Sequence, residues 1–191
     1  MDHAPTRADA FQLLTEYNGS DSLIRHALAV EAVMRHFARR RGADEELWGI
    51  VGLLHDLDYE KFPEQHCRKS EEILRERGWP AEIVRAVVSH GWGICSEVRP
   101  ESDLEKVLYA VDELTGLVTT AALVRPSKSV LDMEAASVKK KWKDKAFAAG
   151  ANRDEISKAA AEFDIELWEH VGNVITAMRK IAPELDLVGN I

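Results

Sequence analysis

Apolar residues in this chain return every three or four positions, and few segments alternate with period two, so the pattern is that of helices rather than strands. Leu23, Ala27, Val30, Met34 and Phe37 show it well: they share one helical face, and Gly42 supplies the stop. A preceding helix is predicted from Thr6, as N-cap, to Tyr17, with Asn18-Gly19 as the breaker. Asp44 caps the next, and Glu45 and Glu46 sit in its first turn, where the helix dipole favours negative charge. That helix is apolar through Trp48, Ile50, Val51, Leu53 and Leu54 and leads directly into His55-Asp56. Further helices are predicted for Glu64 to Arg77, Ala81 to His90, Asp103 to Val124, Val130 to Ala149 and Asp154 to Ile181, the last broken near Phe163-Asp164. The expectation is an all-α fold in a single domain over 1–191. It comprises a compact helical bundle at about 20–125 and additional C-terminal helices at about 126–191.

The chain has 191 residues, 46% hydrophobic and 30% charged, a balance that excludes a disordered or collagen-like chain. Its formal charge of -8 offers no global positive field, so no nucleic acid polymer is expected as a partner. The charge-free apolar stretches Leu114 to Val124 and Gly49 to Leu54 fall well short of the ~20 residues that span a bilayer, so no membrane is expected either. Met1 to Arg7 lacks the basic-then-apolar pattern of a secretory signal, and Cys67 and Cys95 form no CxxC pair and suggest no disulfide framework. A reducing cytoplasm is the expected location.

Four polar side chains stand where solvation does not explain them. His26 belongs to the row His26, Val30, Val33, Phe37, on or beside the buried stripe of its helix. His55 and Asp56 end a nearly continuous apolar run, and Asp112 stacks with Leu104 and Leu108 at i, i+4, i+8. Buried carboxylates are normally paired, hydrogen-bonded or bound to metal, and one divalent cation would satisfy this set together. Two His and two Asp leave open positions for water and substrate on a six-coordinate ion. Taken singly, His26 also reads as a satisfied core histidine and Asp112 as a cap or salt-bridge residue.

The segments Leu23-Ile24-Arg25-His26-Ala27-Leu28-Ala29-Val30, Gly52-Leu53-Leu54-His55-Asp56 and Ala110-Val111-Asp112, in this order, resemble the HD superfamily of metal-dependent phosphohydrolases. The resemblance runs from about Ser22 to Thr115. It implies a helical HD-domain bundle and a metal held by His26, His55, Asp56 and Asp112. His66, in His66-Cys67-Arg68-Lys69-Ser70, and His90, in Val87-Val88-Ser89-His90-Gly91, are similar to positions used by two-metal members, with Asp56 as the bridge. The implied cofactor is a divalent transition metal (Mn, Fe, Co, Ni or Zn), one or two per chain. The implied reaction is hydrolysis of a phosphate ester, such as a nucleotide, by metal-activated water. Asp56 would orient the water, and an acid after His-Asp, Asp58 or Glu60, would protonate the leaving group. Both acids also read as solvated turn residues. The Gly-Tyr-Pro signature of the cyclic-dinucleotide phosphodiesterases is missing, since His90 precedes Gly91-Trp92-Gly93. Two alternatives share the same residues: an HD-type di-iron oxygenase, and a regulatory domain that binds a nucleotide without cleaving it.

The expected partner is a small phosphorylated substrate. Arg25, Lys61, Lys128 and Lys141 are candidate phosphate contacts, the last in the basic run from Ser137 to Lys145, where Trp142 is available to stack on a base. The bland reading of the lysines is a solvated surface. His3, His36 and His170 read as surface or structural residues.

Overall fold

A computed structural model describes residues 4–144 and 151–190. The start of the chain through His3, and the stretch from Lys145 to Ala149 that would end the helix expected from Val130, lie outside the described residues. Among the described residues every regular element is a helix: α1 (Arg7–Tyr17), α2 (Asp21–Arg41), α3 (Glu45–Leu54), a 3₁₀ turn (Pro63–Gln65), α4 (Arg68–Glu76), α5 (Ala81–Ser89), α6 (Asp103–Leu123), α7 (Ala135–Lys141), α8 (Arg153–Glu162) and α9 (Leu167–Arg179). No helix among them is long and apolar enough to cross a membrane. The chain forms two compact units, Met1–Tyr109 and Ala110–Ile191, and the boundary falls inside α6.

In the first unit the expected caps are present. Thr6 and Asp9 close a capping box on α1, the Asp44 carboxylate accepts from the amides of Glu46 and Leu47, and Gly42 ends α2 at φ 65°. The run Trp48–Leu54 is buried on all sides, so α3 is the core helix of this unit. Each such large side chain contributes about 1.5–3 kcal/mol of burial. Its partner is α2, and the approach is close at Gly52: a Cβ there would lie 2.9 Å from the Glu31 Cα and 3.0 Å from the Glu31 N. Glu31 itself is buried, and its carboxylate accepts from Arg7 at 2.7 and 2.9 Å and from Arg35 Nε at 2.9 Å, which ties α1 to α2. Arg35 also reaches Glu46 at 2.9 Å, bringing in the start of α3.

The helix expected over Glu64 to Arg77 is interrupted. Cys67 has φ 65° and ψ -48°, and the Arg68 amide donates to the His66 carbonyl across it at 2.8 Å, so α4 starts only at Arg68. The Asp58 carboxylate then accepts from the Ser70 amide at 2.7 Å, satisfying a first-turn donor of α4 from outside the helix.

In the second unit the final residues pair with the turn before α7. The Val130 amide donates to Leu187 O at 2.9 Å and the Asn190 amide to Ser127 O at 2.8 Å. Arg179 on α9 caps the same turn through the carbonyls of Val130 and Met133. These bonds hold 130–134 out of helical geometry, so α7 begins at Ala135 rather than Val130. The break between α8 and α9 falls where expected, at Asp164, with φ 52°.

Replacing Gly52 by Ala should force α3 off α2 and lower stability by about 1–3 kcal/mol, the usual cost of overpacking. Gly172→Ala, in α9, is the control: an added Cβ meets nothing within 4 Å, and a gain of about 0.5–1 kcal/mol is expected. Urea denaturation followed by circular dichroism measures both, and an undiminished midpoint for Gly52→Ala would refute the close approach.

Candidate metal centre

The buried run of α3 determines where the polar residues after it arrive. His55 is wholly buried at the C-terminal end of that helix, and Asp56 follows in a turn closed by Leu57 N to Leu54 O at 3.2 Å and Tyr59 N to Asp56 O at 3.1 Å. His26 faces them from α2, its side chain 23% exposed. His66 comes from the turn before α4, and His90 from the end of α5.

The rings are held by their Nδ1 atoms. His55 Nδ1 donates to Gly52 O at 2.8 Å and His90 Nδ1 to Val87 O, each the carbonyl three residues earlier at a helix end, where carbonyls lack helical partners. His66 Nδ1 donates to Asp58 Oδ1 at 2.7 Å. With the proton on Nδ1, the Nε2 lone pair of each neutral ring points into the centre. There His66 Nε2 and His90 Nε2 lie 3.2 Å apart, and His26 Nε2 and His55 Nε2 3.1 Å apart.

The Asp56 carboxylate divides between the two pairs. Oδ1 is 3.5 Å from both His66 Nε2 and His90 Nε2, while Oδ2 is 3.3 Å from His55 Nε2 and 3.7 Å from His26 Nε2. On the His66–His90 side two acceptor nitrogens and a carboxylate oxygen face one another, an arrangement that a proton or a metal ion between them stabilises. The donor set suits a divalent transition metal on each side of Asp56, with one oxygen directed to each histidine pair. Burial would raise the Asp56 carboxyl, but the charge and hydrogen bond of His55, the hydrogen bond of His90 and the charge of His26 hold it well below the ordinary range. Burial would lower His66, but its hydrogen bond to Asp58 and the charges of Asp56 and Asp58 raise it. A metal ion would displace that proton.

Several of the other expected site residues have partners of their own. Asp58 is fully buried with both oxygens engaged, by His66 and by the Ser70 amide; it orients a ring and caps a helix, and is neither a solvated acid nor placed as a free proton donor. Glu60 is exposed, and its Oε2 accepts from the amides of Gly19 at 2.8 Å and Ser20 at 3.0 Å, so it fastens the turn between α1 and α2. Lys61 donates to Glu16 O at 2.6 Å and lies over the Tyr17 ring, at the end of α1. Arg25 is half-exposed beside His26, 4.0 Å from Asp21.

In the second unit Lys128 lies in a turn at φ 50° and Lys141 ends α7, both exposed. Trp142 meets Trp168 in a T-shaped arrangement, with centroids 5.4 Å apart. Lys145 lies outside the described residues. Asp112 is half-buried on α6, and its charge adds to burial in raising the Glu155 carboxyl. His36 and His170 are buried, the latter donating to Ala110 O at 3.2 Å. Three features escaped the sequence reading: the orienting role of Asp58, the Tyr59 ring edge-on to His66 at 5.1 Å, and the meeting of Cys67 with Cys95. Of these only Asp58 carried a signal, its position two residues after Asp56.

The hydrogen bond between the Cys67 and Cys95 thiols splits their acidities. Hydrogen bonding to Cys95, then burial, pushes Cys67 up, while the same hydrogen bond, joined by the charges of His66 and His90 and opposed by burial, lowers Cys95 to about 6.

Replacing Asp58 by Asn leaves one oxygen for two donors and frees the His66 ring to turn. Metal affinity should fall about 10–100-fold, as is usual when a ligand's outer partner is lost. Competition against a chelating dye measures it, and an unchanged affinity would show that His66 takes no part in binding metal.

Residues 23–117 match the HD domain, a span that contains His26, His55, Asp56, His66, His90 and Asp112. Over 120 residues, 62% of the chain, the sequence is 28% identical to the tRNA (cytidine(56)-2'-O)-methyltransferase of Thermoplasma volcanium. The chain spans 36% of the length of that curated relative, so the likeness concerns about a third of it. The family match rests on the same helices that carry the histidines and Asp56, and it establishes that the chain belongs to the HD superfamily.

Proposed function

We propose that this chain is a metal-dependent phosphohydrolase that cleaves a small phosphate ester, such as a nucleotide, with water activated on one or two divalent transition ions. The observation that carries the reading is the division of Asp56: each of its oxygens faces a pair of histidine Nε2 atoms. Divalent ions held there would lower the pKa of bound water and draw charge from the phosphoryl oxygens. His26 and His55 would hold one side and His66 and His90 the other. Asp112, on α6, is proposed as a further ligand from the HD motif and the family match.

The chain's own contribution is positioning, which together with charge stabilisation accounts for most catalysis of phosphoryl transfer. Gly52 O, Val87 O and Asp58 fix three rings in the ligating tautomer, and burial of His55 and His90 excludes water from behind them. Arg25, half-exposed and next to His26, is the proposed phosphate anchor. Glu60 and Lys61 are left out, because their partners lie in the first helix and the turn that follows it. Methyl transfer, in the name of a relative of which this chain covers 36%, is not proposed: a set of imidazoles around a carboxylate suits metal-bound water, not a methyl donor.

A second reading uses the same donors, since six His and Asp ligands, with Asp56 among them as the bridge, also suit paired iron in an oxygenase. Elemental analysis of protein purified without chelator, with a phosphate-release screen over nucleotides and aryl phosphates, separates the two. About one metal or two non-iron ions per chain, with phosphate released, is expected. Asp56→Ala should lose metal and turnover together while keeping its helical circular dichroism; Glu60→Gln should retain both. Iron in pairs with oxygen-dependent turnover would overturn the hydrolase, and full activity in metal-depleted Asp56→Ala would overturn the mechanism.

A further inference from the structure

Beside the histidines lies a cluster that the hydrolase reading does not use. Cys67 and Cys95, 28 residues apart in sequence, place their sulfurs 2.6 Å from each other as free thiols. Cys67 is buried and Cys95 is exposed. The backbone around both is arranged for the meeting. Gly91 O accepts from the amides of Ile94, Cys95 and Ser96, each at 3.0 Å, which folds the loop after α5 back on itself where Cys95 meets Cys67. A Cβ on Gly91 would overlap both sulfurs, so only glycine leaves room for the pair. Cys67 is a non-glycine residue at φ 65° and ψ -48°, the strained γ-turn geometry that persists only where surroundings impose it.

His66 lies close enough to make a three-donor metal group with the two cysteines, but the geometry points elsewhere. Two thiolates on one tetrahedral zinc, with Zn–S near 2.3 Å, stand about 3.8 Å apart. These sulfurs are much closer, only about half an ångström beyond a covalent S–S bond of ~2.05 Å. His66 Nδ1 is bonded to Asp58, and its Nε2 faces His90 and Asp56.

We propose that Cys67 and Cys95 form a reversible dithiol–disulfide pair, oxidised by a low-molecular-weight disulfide. The exposed Cys95 sulfur attacks one sulfur of the small disulfide RSSR, forming a mixed disulfide and releasing one thiolate. The Cys67 sulfur then attacks the Cys95 sulfur, closing the internal bond and releasing the second. The two cysteine protons pass to the two leaving thiolates. The cysteine pair loses two electrons and RSSR gains them, giving one protein disulfide and two RSH. The bond joins the turn that carries His66 to the loop that follows His90, so oxidation covalently couples the two elements of one histidine pair. None of this depends on the hydrolase reading.

The test uses the full chain as purified, reduced, freed of reductant under inert gas and equilibrated with glutathione disulfide, then quenched in acid and alkylated with N-ethylmaleimide. Intact mass and peptide mapping should show loss of both alkylatable thiols, no bound glutathione and a peptide joining Cys67 to Cys95, all reversed by dithiothreitol. Cys67→Ser should instead hold one glutathione on Cys95, and the buried Cys67 of Cys95→Ser should stay reduced in the folded protein. Two alkylated thiols in the wild-type chain, glutathione retained on it, or a bond between two chains would each overturn the proposal. The wild-type measurement stands whether or not the variants fold, and because it reads mass it is independent of turnover and metal content.

Discussion

A carboxylate surrounded by lone pairs governs the first unit of this protein. Asp56 faces four imidazole nitrogens, and the rings of His55, His66 and His90 are each prevented from turning by a bond at the far side. Removing water from such a set is costly unless a positive charge is supplied. Much of the local structure keeps the set in place. α3 is apolar all round so that it lodges at the centre of its unit, and its last turn then delivers His55 and Asp56. α5 ends at His90 in the same way, each histidine turning its Nδ1 back to the carbonyl three residues before it. Two helix ends thus use backbone carbonyls to set a tautomer.

Asp58 extends the arrangement outward. One oxygen orients His66 and the other accepts from the first turn of α4, so a single buried side chain connects the centre to the helix that follows the strained turn at Cys67. Gly52, Asp58 and Val87 all lie within the residues that match the HD domain.

The helices, their caps and the central histidines were legible because they depend on local rules. A 3.6-residue period, an Asp before an amphipathic run, a glycine after one, and a polar pair at the end of an apolar helix are all readable within ten residues or so. What escaped depends on contacts between distant segments. Glu60 and Lys61 follow the His-Asp pair in sequence, yet their partners, Gly19, Ser20 and Glu16, sit some forty residues earlier. Asp58 looks like a turn acid until His66 and Ser70 arrive on its two oxygens. Cys67 and Cys95 have no motif spacing, and the helix is interrupted at Cys67, where the two meet. The late start of α7 has a similar cause, since the turn ahead of it is held by the chain's final residues.

Gly52 has two duties. Its missing side chain lets the backbone of α2 approach, and its carbonyl receives the Nδ1 proton of His55. The distance between two helices and the direction of a lone pair are therefore set at one residue. Any change that relaxes the packing at this position also swings the acceptor that defines the ring, so tolerance to mutation here is limited twice over. A lineage drifting toward a looser or tighter bundle would have to retune its chemistry in the same step.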